Sequence, residues 1–348
     1  MNTDIVIAGA GVIGASVAYH LAKRGCRDIV VLDRGADFGA GSTLKATGGF
    51  RAQFDNEAEV RMSLLAREKL LAFQDEIGVD SGYRQCGYLF LACSDDELAE
   101  LRRAQEVQHA CGLTEARMVT ADEARALSPA IGDPRVIGGA FCPTDGFIRA
   151  KNILHGYAEA ARRLGVRFEF GRELDEWPDA RVRIDARGAW SGAPVVPTLR
   201  RVVATVPTSV LPESMPMTVW AGDWYHLRVR DGRVLLLWPD DPPVADDAVW
   251  LSEVLRRTRE RAPILDDIPI GESWSGFYEM SPDERALVGP HPGIENLWVA
   301  TGCSGHGVMH APAIGQLLAE LIVDGRTSID ISALDPARFA LDAFRTEA

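Results

Sequence analysis

The first 33 residues constrain this chain more than any other stretch. Asp4-Ile5-Val6-Ile7-Ala8 is an apolar run, dense in β-branched residues and of strand length. It runs straight into Gly9-Ala10-Gly11-Val12-Ile13-Gly14, a G-x-G-x-x-G turn. A helical pattern follows, with Val12, Ala15, Tyr19 and Ala22 on one face and Gly25 as its stop. Asp28-Ile29-Val30-Val31-Leu32 reads as a second buried strand that ends in Asp33. Each part has a physical task. Gly9 permits the tight turn, Gly11 lets the backbone approach a pyrophosphate, and Gly14 lets helix pack close on strand. The helix start at Val12 and Ile13 offers free N–H groups and a positive dipole end to that pyrophosphate. Asp33, about 20 residues downstream, is placed to accept hydrogen bonds from a ribose. The glycines alone are a weak signal. Strand, glycines, helix, strand and terminal acid in this order predict a bound dinucleotide.

Composition narrows the partners. With 348 residues, 47% of them hydrophobic, the chain can bury a sizeable core and form two domains or one large α/β unit. The net charge of −13 argues against nucleic acid or an anionic membrane surface. The N-terminus does not read as a signal peptide, because Asp4 interrupts it and the first strand begins at once. The apolar region near the C-terminus carries His306, His310, Gln316 and Glu320, so no membrane span is expected. Cys26, Cys86, Cys93, Cys111, Cys142 and Cys303 form no C-x-x-C pair, so neither a zinc site nor a redox dithiol is signalled. A cytoplasmic location is expected.

After Asp33 and Arg34 comes a loop containing Gly39-Ala40-Gly41-Ser42-Thr43, too polar and glycine-rich for a strand. Helices are predicted over 57–77, 97–110, 120–127, 150–164, 249–261 and 308–323, and strands over 87–92, 136–142, 166–170, 181–186, 272–280 and 296–300. From Arg200 to Trp238 the pattern changes to successive strands separated by Pro and Gly turns, which reads as an antiparallel sheet without crossover helices. The predicted fold class is therefore α/β: a Rossmann-type dinucleotide-binding domain with an inserted, mainly antiparallel substrate domain. The expected boundaries are residues 1–85, 144–196 and 284–348 for the first, and 86–143 and 197–283 for the second.

Several segments together resemble the D-amino-acid oxidase superfamily of FAD enzymes. They are the opening motif, Gly41-Ser42-Thr43 with Gly48-Gly49-Phe50-Arg51-Ala52-Gln53-Phe54, Ala140–Gly146, Gly188-Ala189-Trp190-Ser191, Tyr278–Asp283, and Ser304-Gly305-His306-Gly307-Val308-Met309 with His310–Pro312. Within the superfamily the chain is most similar to sarcosine oxidase β subunits and the β subunits of dye-linked L-proline dehydrogenases. The resemblance implies that the first domain is a Rossmann-type, glutathione-reductase-like FAD-binding domain, with non-covalent FAD, an amine or amino-acid substrate, hydride transfer from the amine-bearing carbon to flavin N5, and an imine that water hydrolyses. It carries FAD contacts to Ser42, Thr43, Gly49, Leu174, Gly188, Trp190, Gly302, Gly305, His306, Gly307, Val308 and Met309, besides the first motif and Arg34. A helix start at Gly302–Gly307 also suits a reduced flavin, whose negative charge gathers around N1 and O2.

Three residues are predicted to carry the chemistry. Arg51 is either a cation at the flavin ring that holds a substrate carboxylate, or a solvated loop arginine. Tyr225 is the family-like choice on the inserted sheet. Alternation puts Tyr225 and Leu227 on one face and His226 and Arg228 on the other, so they cannot all line a pocket. His306 hydrogen-bonds the flavin or fixes its loop. No metal role is expected.

The chain also departs from the family pattern. Gly276 stands where monomeric sarcosine oxidases carry a flavin-linking cysteine, and Phe147-Ile148-Arg149-Ala150 lacks the histidine that some β subunits attach to FMN. Met309 replaces a lysine found in oxidases, and Lys23, Lys45, Lys69 and Lys151 all precede the inserted sheet. That pattern favours a dehydrogenase or a slow oxidase. The stretch from Glu173 to Val182 is too short for the hairpin that usually holds the adenine end, and Arg187 stands where the family carries a small residue before Gly188. Two other readings stay open: an FAD-binding subunit of a multi-subunit amine dehydrogenase, with partner subunits or a separate electron acceptor, and a NAD-dependent dehydrogenase. The latter has no use for the second glycine-rich helix start.

Overall fold

A computed structural model describes residues 3–174 and 176–344. Met1, Asn2, Asp175 and the four residues from 345 lie outside it, including the ends of the outer predicted domain boundaries and one residue of the shortened 173–182 segment. The opening motif folds as β1 (Ile5–Ala8), α1 (Val12–Lys23) and β2 (Ile29–Asp33). Then come β3 (Gly49–Phe50), α2 (Glu57–Leu71), α3 (Phe73–Ile77), β4 (Tyr88–Ala92), α4 (Asp95–Ala110), β5 (Arg117–Thr120), α5 (Ala121–Leu127), β6 (Gly138–Cys142) and β7 (Gly146–Phe147). The chain continues through α6 (Ala150–Arg163), β8 (Arg167–Phe170), β9 (Val182–Asp185), β10 (Val196–Thr205), β11 (Met217–Trp220), β12 (His226–Arg230) and β13 (Arg233–Leu237). It ends with α7 (Asp247–Arg261), β14 (Ile270–Met280), β15 (Leu287–Pro290), β16 (Leu297–Thr301) and α8 (Gly307–Asp324).

Two large sheets organise these elements. The first runs β15-β16-β9-β1-β2-β8, parallel except for β15, with β1 at its middle. Helix α1 packs between α6 and α8 on one face. The α1–α8 approach is close because Gly315 has no side chain: a Cβ there would meet Ser16 Oγ at 2.2 Å. Ser16 Oγ in turn donates to the carbonyl of Ala311 at 2.7 Å. The second sheet runs β14-β10-β13-β12-β11-β4-β6-β5. It is not purely antiparallel, as expected, because β4 lies parallel to β11. The chain enters this sheet at β4, leaves through α6 and the first sheet, and returns at β10; β11 then runs the same way as β4.

The helix predicted over 57–77 is two helices broken at Ala72, and Gly78 closes the second with φ 89°. Ser94 Oγ caps α4 by accepting from the Glu97 amide, and Thr120 with Glu123 forms a capping box on α5. A two-stranded ribbon, β3 with β7, pairs only Gly49-Phe50 with Gly146-Phe147, too short for a periodic signal. No helix among the described residues is long and apolar enough to cross a membrane.

Candidate active site

A cavity of about 700 Å³ is lined by the turn after β1, the loop after β2, the start of α8 and the inner face of the second sheet. Both helix starts at this cavity are uncapped. Helix α1 begins after Gly11 and α8 after His306, neither with a side-chain cap nor an acid in its first turn. Apart from the Val12 amide, which donates to Thr43 Oγ1, their leading N–H groups and positive dipole ends therefore remain for an anion or a polarised carbonyl oxygen. Gly9 adopts φ 106°, and a Cβ there would sit 2.4 Å from the Ala186 carbonyl oxygen, so only glycine makes this turn. Gly305 adopts φ 92°, and a Cβ would strike the Tyr278 ring at 2.2 Å. The residues thus fit one elongated anionic cofactor held between two helix tips.

The other predicted contacts fall into place around it. Gly9, Gly11, Val12, Ile13, Asp33, Arg34, Ser42, Thr43, Gly49, Arg51, Leu174, Gly188, Trp190, Gly305, His306, Gly307, Val308 and Met309 all line the cavity. Asp33 accepts from the amides of Ala10 and Gly35 at 2.6 and 2.7 Å, which fixes its carboxylate while leaving lone pairs for a ribose. Thr43 Oγ1 accepts from the Val12 amide at 3.2 Å and ties the glycine-rich loop to α1. The Arg34 guanidinium stacks on Trp190 at 4.3 Å. In the shortened 173–182 segment, Leu174 and Trp177 pack on Val6, Val30 and Leu32, covering the sheet where the family pattern carries a hairpin. Arg187 is paired with Asp185 at 2.9 Å.

Three predicted residues stand elsewhere. Gly14 packs helix on strand, since a Cβ would lie 1.9 Å from the Gly9 carbonyl oxygen. Gly302 sits behind the cavity against Leu287. Tyr225 is fully buried on the far face of the second sheet, where its hydroxyl bonds Thr258 Oγ1 at 2.8 Å. Register explains this correction. Val202, Leu237, His226, Val219 and Phe90 form one row across five strands, and all five line the cavity. The neighbouring row, Val203, Leu236, Leu227 and Leu89, faces the opposite core with Tyr225, Trp220 and Trp250. Alternation was the right signal, and it selects His226 rather than Tyr225.

Arg51 is fixed on several sides. Its guanidinium lies 3.7 Å above the Phe54 ring, Nη1 donates to the Gln53 carbonyl, and Nη2 donates to His306 Nε2 at 3.1 Å. With Nε2 accepting, His306 carries its proton on Nδ1, which faces Glu59 Oε1 at 3.5 Å without the alignment of a hydrogen bond. Burial opposes the Glu59 charge, but His306, His310 and Asn56 outweigh it and hold the carboxyl down to about 2. Burial, reinforced by Arg51, holds His306 below the usual histidine range. Behind Arg51, the buried Asp145 accepts from the Ala52 amide at 2.8 Å and from Gln53 Nε2 at 3.1 Å, anchoring the loop after β3 to the residue before β7. Burial pushes Asp145 up to about 6, against the pull of those donors and of Arg51.

Sequence reasoning missed the roof: Tyr88, Phe90, Met217, Arg200, His226 and Tyr278 all line the cavity. Lys45 precedes the second sheet in sequence but lines the same cavity, beside Gly276, whose Cβ position is 3.2 Å from Lys45 Cβ. Sequence order alone therefore does not keep a lysine away from the site. Cys303 is a buried thiol, 2% exposed, that burial and the nearby Glu279 push up. Among the described residues no group of three or more His, Cys, Asp and Glu is placed to hold a metal.

Comparison with known proteins agrees with this geometry. The family described as FAD dependent oxidoreductase matches residues 4–321. Mitochondrial dimethylglycine dehydrogenase of Rattus norvegicus is 26% identical over 391 residues, covering 97% of this chain but only 45% of that protein. Glycine oxidase of Geobacillus kaustophilus (strain HTA426) is 26% identical over 367 residues, covering 96% of this chain and 97% of that one. The crystal structure of L-proline dehydrogenase from P. horikoshii superposes with a TM-score of 0.88 at 26% identity, covering 97% of this chain and 98% of that one. The chain belongs to the FAD dependent oxidoreductase family, and it is a flavoenzyme with FAD as its cofactor.

Proposed function

We propose that this flavoenzyme oxidises the C–N bond of a small or N-alkylated amino acid. The observation that carries the reading is the juxtaposition of Arg51 with an aromatic roof beside the second helix tip. Bound FAD supplies the hydride acceptor at flavin N5, and the imine formed is hydrolysed by water. Arg51 and Arg200 offer cations for the substrate carboxylate. Phe90, Tyr88, Met217, Val219 and Leu237 exclude water from the rest of a small substrate. The relatives support this substrate class by name: dimethylglycine dehydrogenase, glycine oxidase and L-proline dehydrogenase.

We assign residues 1–85, 144–196 and 284–348 to FAD and 86–143 with 197–283 to the substrate. FAD is held non-covalently, since Gly276 has no thiol to offer. Six free cysteines suit a reducing cytoplasm. The test is anaerobic addition of sarcosine, L-proline, glycine and a wider amino-acid panel to the yellow protein. Bleaching of the flavin band by one of them is expected, and no bleaching across the panel sinks the substrate class. Bleaching only after a second protein is added would instead identify the chain as a subunit of a larger dehydrogenase.

A further inference from the structure

His226 enters the cavity with its hydrogen-bonding already half decided. Its Nδ1 lies 2.7 Å from the backbone oxygen of Trp224. A carbonyl only accepts, so Nδ1 carries the proton and Nε2 keeps a bare lone pair. Among the described residues no group donates to Nε2, and the ring lines the cavity in the row between Leu237 and Val219. Burial, opposed by the Trp224 bond and reinforced by Arg51, pulls this histidine down to about 4, so it stays neutral at physiological pH. Other polar side chains on the lining of the same cavity include Arg51, Arg200, Tyr88, Tyr278, Lys45 and Asp241. Glu279 lies further along, with Oε1 3.7 Å from the Cβ position of Gly307 and Oε2 3.5 Å from that of Gly188, in the half of the cavity assigned to the cofactor.

A neutral imidazole of this tautomer has nothing to give a carboxylate. It has one acceptor to give an N–H. We propose that His226 is the amine-recognising residue, taking a hydrogen bond from the substrate N–H at Nε2 while an arginine takes the carboxylate. This rests on the amino-acid reading above and makes it more specific: the substrate keeps at least one N–H when its amine is neutral, as primary and secondary amines do. No proton changes hands in this contact. Because the only N–H of His226 is committed to Trp224, the ring does not return a proton to the amine lone pair on which oxidation depends.

The test uses the FAD-loaded protein and two flat carboxylates of nearly equal shape, pyrrole-2-carboxylate with a ring N–H and 2-furoate with a ring oxygen. Binding is read from the perturbation of the flavin absorption. About tenfold tighter binding of the pyrrole is expected, the size of one well-placed hydrogen bond against a lone-pair clash. His226→Leu brings the ratio close to one at unchanged FAD content, and His226→Gln, whose amide oxygen still accepts, keeps part of it. A ratio near one in the natural protein, or an undiminished ratio in His226→Leu, overturns the inference while leaving the amino-acid site intact. If neither carboxylate perturbs the flavin, the amino-acid reading falls and takes this inference with it.

Discussion

Arg51 depends on neighbours that the sequence scatters widely. Phe54 supports its face, His306 accepts from its edge, and Asp145 anchors the loop it stands on. Replacing Arg51 by Ala is expected to weaken a carboxylate ligand by roughly ten- to a hundredfold, the range for charge-assisted hydrogen bonds. Titration of the flavin spectrum checks it, and an unchanged affinity would remove Arg51 from the carboxylate site. Tyr225 makes the opposite prediction. Among the described residues its hydroxyl bonds only Thr258 Oγ1, which itself donates to the Val254 carbonyl at 2.9 Å. Tyr225→Phe should cost about 0.5–1.5 kcal/mol of stability and leave the rate of flavin reduction unchanged. Both residues stood in the sequence reading as chemical groups. Arg51 was legible because glycines and a family-like loop surround it. Tyr225 was not, because alternation separates two faces without saying which one meets the cavity; that depends on the strand row built from β10 to β4.

Among the elements, α1 and α8 carry the greatest weight, since both tips face the cavity that fits the cofactor. They were legible because each follows a strand through a glycine-rich turn and runs on in helical period. Their mutual packing was not, because Ser16 and Gly315 lie far apart in sequence and meet only when the sheet closes. Adding a Cβ at Gly315 places it 2.2 Å from Ser16 Oγ and 2.7 Å from a Ser16 backbone atom, so α1 must shift. Gly315→Ala should therefore lower the melting temperature by an amount that reflects about 1–3 kcal/mol of overpacking, and it should loosen FAD as well. Thermal melts with and without added FAD test this: a variant that loses stability but keeps full FAD affinity would show that the helix tips are positioned by the sheet rather than by each other. The ribbon of β3 and β7 makes the same point at smaller size. Two glycine–phenylalanine pairs carry no period, yet they set where Arg51 and Asp145 stand.

Taken as a whole, the molecule buries several titratable groups that no sequence period reveals, and they set its response to acid. His20 and His310 are 5% and 1% exposed, and His226 is half-buried. Burial lowers His20 and His226 to about 4 and His310 to about 3. In the unfolded chain these rings protonate near the ordinary value of about 6.5. Between 6.5 and 4 the unfolded state therefore binds more protons than the native state. Each histidine then removes up to about 1.4 kcal/mol of stability per unit of falling pH. Asp145 works the other way. Its folded value of about 6 means that the native state takes up its proton first, so its contribution grows as pH falls from 6 towards 3.8. His306 is lowered in the same sense as these histidines and Glu279 raised in the same sense as Asp145, which leaves the histidines with a net loss. The melting temperature of the FAD-saturated protein should fall from pH 6.5 to pH 4.5, and His310→Gln, whose amide keeps a hydrogen-bonding partner for Ser63 Oγ, should make that slope clearly shallower. A flat profile over this range would mean that water reaches these rings in the native state and that the interior between α2 and α8 is more open than its packing implies.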